Sequence, residues 1–382
     1  MSYEIGRVPR TLVGVGSLAS LESALESLGA QSVVVIVDSV VASGGYLDRV
    51  TEALGALPRV VHVAPAGEPT IQSVDIAASI VRSTPGSVVI GIGGGSAIDI
   101  AKQAATVGVG ETGVEPYLLA AMPLPGRRPI VAIPTTSGTG AEVTRTCIVS
   151  DRAGRKMWTW GDEMLPDLVV LDPTAAATMP HAVTVGTGLD AYVHALEACS
   201  GARRSSVAAA SAQRALALVV EHLPRAASDP TDLSARQAMQ EAAFLAGVAI
   251  DNCGTGVAHS IGHALGTLYH VAHGVSVAVG LHAALDWNVD GCPEAFEDAA
   301  VALGCTVDSV AGTLTTLFRQ TDMSSVVHAM PAQTFDVDAV AEAMVAPENQ
   351  PMLHNNARAV DDESRTMLAG RTITVWNELM RG

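Results

Sequence analysis

Two stretches in the N-terminal half are unbroken apolar, β-branched runs: residues 32–37 (Ser-Val-Val-Val-Ile-Val) and 87–92 (Ser-Val-Val-Ile-Gly-Ile). Continuous rather than alternating apolarity is the pattern of parallel strands covered on both faces. Residues 130–133 and 168–171 read as shorter strands of the same kind, with helical spacing over 73–83 and 97–105 between strands. After Asp172-Pro173 the texture changes to long Ala-rich segments of helical period, 183–198, 205–222 and 234–250, and no strand pattern returns. The pattern therefore predicts an α/β domain with a mostly parallel sheet over residues 1–180 and an all-helical domain over 181–382, the boundary falling near Pro180. A chain of 382 residues is also longer than one hydrophobic core usually serves.

Composition narrows the classes. Apolar residues make up 48% and charged residues 16%, which excludes a disordered chain. A formal charge of −17 repels a phosphate backbone, so no nucleic-acid partner is expected. The five cysteines are scattered and never spaced Cys-x-x-Cys, which argues against a disulfide framework and a thiolate zinc site and points to the reducing cytoplasm. The opening Met-Ser-Tyr-Glu-Ile-Gly-Arg has no apolar run behind a basic start, so a secretory leader is not expected. Residues 254–285 lack Asp, Glu, Lys and Arg, yet they carry five histidines, which a bilayer would have to desolvate. A helix pair in a protein core is the expectation there, and no membrane partner.

Candidate chemistry begins where the predicted strands end. The second long strand runs into Gly93-Gly94-Gly95-Ser96 and then a helix carrying Asp99 and Lys102. Glycines let backbone approach a pyrophosphate, and a helix N-terminus offers N–H donors and a favourable dipole. The fourth position is Ser rather than the Gly of the usual dinucleotide fingerprint, so a plain tight turn competes at this point. Asp38 ends the earlier strand and can accept from ribose hydroxyls, favouring NAD over NADP; its competing role is a cap. Residues 134–142 (Pro-Thr-Thr-Ser-Gly-Thr-Gly-Ala-Glu) form a second loop after a strand, dense in hydroxyls and glycines, suited to phosphate and the nicotinamide amide. The cradle so read comprises Asp38, Gly94, Gly95, Ser96, Asp99, Thr135, Thr136 and Thr139.

In the helical half, Asp190 and His194 are four residues apart and share one helix face. His259 and His263 repeat that spacing, and His273 follows after a predicted helix break at Gly266. Three neutral imidazoles with one carboxylate make an oxygen/nitrogen site suited to Fe(II) or Zn(II) with room for a substrate oxygen. A lone histidine is more often a core or capping residue. Several in an uncharged segment need partners for buried nitrogens, and a cation satisfies them together.

With these motifs in order, the chain resembles the iron-containing (group III) alcohol dehydrogenases over essentially its whole length. The likeness is carried by Gly93-Gly94-Gly95-Ser96 with Asp99 and Lys102, the 134–142 loop, Gly188-Leu189-Asp190 to His194 with Glu197, and residues 259–274. It implies a dinucleotide-binding domain followed by an all-α metal-binding domain, the architecture also found in dehydroquinate synthase. The resemblance further implies Asp190, His194, His259 and His273 as metal ligands and His263 as a proton-relay histidine beside the nicotinamide. Asp38, Gly94, Gly95, Ser96, Thr135, Thr136, Thr139 and Lys156 fall on its dinucleotide positions, and a homodimer on its usual assembly. Ala141, Gly262 and Ala272 depart from the family pattern without removing a ligand.

The expected reaction is interconversion of a small alcohol and its aldehyde or ketone with NAD. Arg145, after the Thr/Gly loop, suggests an anionic aldehyde; its plainer role is a solvated or packed arginine. Trp158 and Trp160 either shape a pocket mouth or pack. Two other classes compete: a dehydroquinate synthase-like cyclase or lyase, which needs basic residues that the Lys-poor helical half lacks, and a catalytically silent nucleotide sensor.

Overall fold

A computed structural model describes residues 3–381. The described residues divide into two units, one of Arg7–Met179 and one of residues 180–381 together with residues 3–6. The first unit is built on β1 (Arg10–Val13), β2 (Ser32–Asp38), β3 (Arg59–Ala64), β4 (Ser87–Gly93), β5 (Ile130–Pro134) and β8 (Leu168–Leu171), with a hairpin of β6 (Thr146–Ser150) and β7 (Lys156–Trp160) inserted before β8. The sheet order is β1-β8-β5-β4-β2-β3 and every pairing in it is parallel.

The continuous apolar runs are explained by two cores, one per sheet face. Val34, Ile36 and Val89 point into a core shared with α4 (Ile71–Ser83) and α5 (Gly95–Val107). Val33, Val35, Val37, Val88, Ile90 and Ile92 point into the other, shared with α1 (Leu21–Ser27) and α3 (Tyr46–Ala53), while the short α2 (Ser39–Ser43) follows β2 directly. Each such fully buried β-branched side chain contributes on the order of 1.5–3 kcal/mol of transfer free energy. Four strands were not foreseen from periodicity, β6 (Thr146–Ser150) among them. β1 is four residues long, β7 reads Lys-Met-Trp-Thr-Trp, and β3 is a sheet edge whose Val60, Val61 and Val63 are exposed.

The second unit is helical throughout its described residues: α6 (His181–Ser200), α7 (Ser206–Ser228), α8 (Leu233–Cys253), α9 (Val257–Tyr269), α10 (His273–Gly291), α11 (Glu297–Leu303), α12 (Val310–Gln320), α13 (Met323–His328), α14 (Val337–Met344), α15 (Gln350–Asn355) and α16 (Asp362–Leu379), with short 3-10 turns between them. They enclose one core in which α6 is buried along nearly its whole length. Glycines let this crowding happen. A β-carbon on Gly188 would overlap the Leu223 side chain of α7, and one on Gly262 would overlap Val277 of α10.

The charge-free run 254–285 is divided between α9 and α10, and among the described residues no single helix is long and apolar enough to cross a membrane. The break expected at Gly266 lies four residues later. α9 continues through Gly266 to Tyr269 and stops at His270, whose φ of 55° is left-handed. Burial of the turn around Gly266 outweighs the intrinsic helix cost of glycine, about 1 kcal/mol.

Candidate functional site

In the first unit, β4 ends at Gly93 and α5 begins at Gly95, with Gly94 as a cap lacking any side-chain bond. Gly93 has φ 151°, and a β-carbon there would stand 2.7 Å from Ala97 Cβ and 2.8 Å from Asp38 Cβ. A β-carbon on Gly94 would meet Thr136 Oγ1 at 3.3 Å, and one on Gly95 would meet Thr139 Oγ1 at 2.9 Å. The amide of Thr135 donates to Gly93 O at 2.9 Å. Asp38, Gly93 to Ser96, Thr135, Thr136 and Thr139 therefore converge at the carboxyl ends of β2, β4 and β5. That is where parallel α/β sheets bind nucleotides, and the first-turn N–H groups of α5 are of the kind that bind a phosphate.

Asp38 takes the capping role as well. Its Oδ1 accepts from Val40 N at 2.8 Å and Val41 N at 3.3 Å, so a ribose hydroxyl would be met by Oδ2.

Asp99, expected among the dinucleotide contacts, makes internal contacts in the structure. It is buried, its Oδ2 accepts from Ile148 N at 2.8 Å, and its Oδ1 lies 3.8 Å from Lys102 Nζ. Lys102, fully enclosed, donates to Ala141 O and Thr144 O at 2.7 Å and to Thr146 O at 3.0 Å. Those bonds use all three ammonium hydrogens, so Lys102 braces the Thr/Gly loop from beneath. Glu142 is buried close by, and burial raises its carboxyl to about 7, with Lys102 acting against the rise and Asp99 adding to it. Burial likewise raises Asp99 to about 6. Asp99 and Lys102 thus lie on the inward face of α5.

Lys156, at the start of β7, pairs with Glu68 Oε1 at 2.9 Å. Arg145 lies 3.3 Å from Asp162 Oδ1, and its guanidinium sits 5.2 Å from the centre of the Trp160 ring.

In the second unit, Asp190 and His194 project from α6, His259 from the first turn of α9, and His273 is the first residue of α10. Asp190 Oδ1 lies 3.7 Å from His194 Nε2, 3.8 Å from His259 Nε2 and 3.7 Å from His273 Nε2. These distances are too long for hydrogen bonds. They are a few tenths of an ångström longer than the edges of a tetrahedron around one cation, about 3.4 Å for metal–ligand bonds near 2.1 Å, and the four ligand atoms all lie within 4.8 Å of one another. Asp190 is 1% exposed, and its Oδ1 has no hydrogen-bond donor. A buried carboxylate oxygen facing three imidazole nitrogens is what a divalent cation satisfies.

His263 sits one turn along α9 from His259, its ring 5.6 Å from that of His273. Asn349 fixes its tautomer. The Asn349 amide nitrogen donates to Ala343 O at 3.0 Å, so Oδ1 is the atom 3.1 Å from His263 Nδ1. Nδ1 therefore donates, and the basic lone pair belongs to Nε2.

Two supporting residues went unrecognised in the sequence: Asn349, and the role of Glu197, whose Oε2 lies 2.6 Å from His259 Nδ1. Glu197 carried a signal, standing three residues after His194 on the same face of α6. Asn349 carried none, because a tertiary turn brings it in.

Family models bear on both units. The model described as "Iron-containing alcohol dehydrogenase" matches residues 9–173, and that described as "Fe-containing alcohol dehydrogenase family, C-terminal" matches residues 184–369. The long-chain-alcohol dehydrogenase 1 of Geobacillus thermodenitrificans is 35% identical over 305 residues, covering 78% of this chain and 76% of that one. Two solved structures share the fold. A 1,3-propanediol oxidoreductase superposes with a TM-score of 0.88 at 24% identity, covering 97% of this chain and 100% of its own. The sulfoacetaldehyde reductase of Bifidobacterium kashiwanohense, in complex with NAD+, gives 0.89 at 23% identity, covering 97% and 98%.

Proposed function

We propose, because the chain belongs to the iron-containing alcohol dehydrogenase family, that Asp190, His194, His259 and His273 hold its divalent cation and that the Gly93–Ser96 turn and Thr135–Thr139 loop hold its NAD. The enzyme is a metal-dependent, NAD-linked oxidoreductase acting on alcohols and aldehydes. The observation that carries the metal assignment is the buried Asp190 Oδ1 with three imidazole nitrogens within 3.8 Å and no hydrogen-bond donor. The cyclase reading finds no support among these relatives.

A cation bound there supplies Lewis acidity toward a substrate oxygen, and the nicotinamide supplies or takes up the hydride. The chain's own residues do the rest. Asp190 lowers the charge of the site by one and, with the three imidazoles, orients it; His263 presents Nε2 to accept or return the substrate's proton, with Nδ1 anchored on Asn349. Gly94, Gly95 and Ser96 bring α5 N–H groups to the pyrophosphate, while Thr135, Thr136 and Thr139 supply hydroxyl and amide contacts. Asp38 meets the ribose through Oδ2, and Lys156, together with Glu68, borders the cofactor. Iron(II) is the metal of the family name, with zinc(II) equally suited to this ligand set.

The substrate we propose is a small uncharged alcohol and its aldehyde, since the Arg145 charge is already answered by Asp162 and Trp160. An anionic aldehyde is the second reading, favoured by the sulfoacetaldehyde reductase among the structural neighbours. The working compartment we propose is the cytoplasm, in keeping with five free cysteines, and the working form a homodimer.

The test is NADH oxidation by metal-loaded enzyme with acetaldehyde, phosphonoacetaldehyde and succinic semialdehyde side by side. His259→Ala and Asp190→Ala should lose metal and turnover while still binding NADH. Full activity in either variant refutes the ligand assignment, and no turnover on a broad aldehyde panel refutes the reaction in favour of a silent nucleotide sensor.

A further inference from the structure

α9 carries His259 in its first turn, yet its N-cap is Gly256, which has no side chain to cap with. First-turn N–H groups buried in a core need acceptors. Here both come from remote segments. Ala258 N donates to Glu197 Oε1 at 2.8 Å, and Val257 N donates to Asn356 Oδ1 at 3.2 Å. A β-carbon on Gly256 would stand 2.9 Å from Glu197 Oε1 and 3.1 Å from Asn356 Oδ1, so the glycine is what admits the two caps. The second oxygen of Glu197, Oε2, is 2.6 Å from His259 Nδ1. One buried carboxylate thus grips both the start of the helix and the ring of its third residue.

We infer that Glu197 is the positioning residue of the metal centre: by accepting from His259 Nδ1 it fixes the ring and tautomer that aim Nε2 at Asp190, and so sets how tightly the cation is held. The inference rests on Asp190, His194, His259 and His273 being the ligands. An imidazole ligates through one nitrogen only when the other keeps the proton, and a carboxylate on that proton raises the basicity of the ligating lone pair. α6 then contributes twice. Asp190 and His194 face the cation directly, and Glu197, on the same helix face, holds a ligand that belongs to α9. Partners of this kind set metal affinity by about 10–100-fold in other sites.

The rival role is capping alone, and the two roles use different oxygens. Glu197→Gln keeps a carbonyl oxygen able to accept from Ala258 N while turning an amide donor toward His259 Nδ1. Asn356→Ala removes the other cap of the same turn and leaves the His259 contact intact.

The experiment titrates chelator-stripped full-length enzyme with Zn(II) against a competing chelator, and with Co(II) read by its visible absorption. Glu197→Gln should bind Zn(II) about 10–100-fold more weakly than the original enzyme and show an altered Co(II) spectrum. Asn356→Ala should melt earlier but bind Zn(II) within about threefold of the original. If Glu197→Gln binds Zn(II) as tightly as the original with an unchanged Co(II) spectrum, or if both variants weaken binding equally, the inference is overturned. Should Asn356→Ala fail to fold, Glu197→Gln against the original enzyme decides alone. Asp190→Ala separates the two failures: if it still binds Zn(II) like the original, the ligand set itself is wrong and the inference falls with it.

Discussion

A β-carbon placed on Gly274 would overlap the carbonyl group of Gly186, so α10 starts in backbone contact with α6. The contact lies one residue after His273 and one turn before Asp190, which makes it the spacer between two of the proposed ligands.

Gly274→Ala is expected to push α10 away from α6, because neither backbone has a flexible end that can yield. Overpacking of this kind costs about 1–3 kcal/mol, occasionally more. It should also carry His273 out of range of Asp190. Thermal melting and Zn(II) titration check both effects, and a variant that melts and binds like the original enzyme would show that the helices have slack here.

Asp190→Asn separates the cost of the site from its use. In metal-free enzyme a buried carboxylate oxygen without a donor is destabilising, and an unsatisfied buried group of this sort costs on the order of 1–3 kcal/mol. The neutral amide should therefore leave the stripped protein as stable as the original or more so. Added Zn(II) should stabilise the original by about 2.7 kcal/mol at a hundred times its Kd and the variant hardly at all. Melting curves with and without metal give the answer; a stripped variant that is clearly less stable than the stripped original contradicts the account.

Much of this was legible in the sequence because burial on two faces leaves a continuous apolar signature, as in Val33 to Val37, and because Asp190 and His194 lie one helical turn apart. Strand β3 was illegible for the opposite reason. As an edge with Val60, Val61 and Val63 exposed, it buries little that periodicity could report. The internal contacts of Asp99 and Lys102 were also illegible, because a helix start shows which residues are near a phosphate cradle but not which face they take. In α5 the inward face is the charged one, paid for by Ile148 N and three loop carbonyls. Asn349 and Asn356 act through tertiary turns that leave no local pattern.

Asp38 performs two functions that one substitution can split. Ser caps helices about as well as Asp, so Asp38→Ser should preserve the bonds to Val40 N and Val41 N and leave the melting temperature within about a degree or two. It removes the charge that repels a 2′-phosphate and a good acceptor for the ribose hydroxyl. NADPH use should rise relative to NADH by roughly tenfold, the equivalent of about 1.4 kcal/mol. The ratio of kcat/KM for the two cofactors is the measurement, and an unchanged ratio would remove Asp38 from the cofactor site and leave it a cap.

Glu142 gives the folded protein a pH signature with a definite sign. Burial raises its carboxyl from the ordinary 4.5 to about 7. Below the unfolded value both states hold the proton, and the stabilising contribution of the neutral acid is complete. As pH climbs from about 4.5 to about 7 the unfolded chain gives up its proton first, so the folded state binds more protons and stability declines with pH. Above that window the ionised group is buried at full cost. Glu142→Gln keeps the volume and cannot ionise. The two proteins should melt at similar temperatures near pH 4, and the variant should become progressively the more stable through pH 7. The rest of the chain is common to both proteins, so the difference between their melting temperatures reports on Glu142. A difference that stays flat across this range would mean that the Glu142 carboxyl titrates in the folded protein as it does in the unfolded chain, with the Lys102 ammonium offsetting its burial.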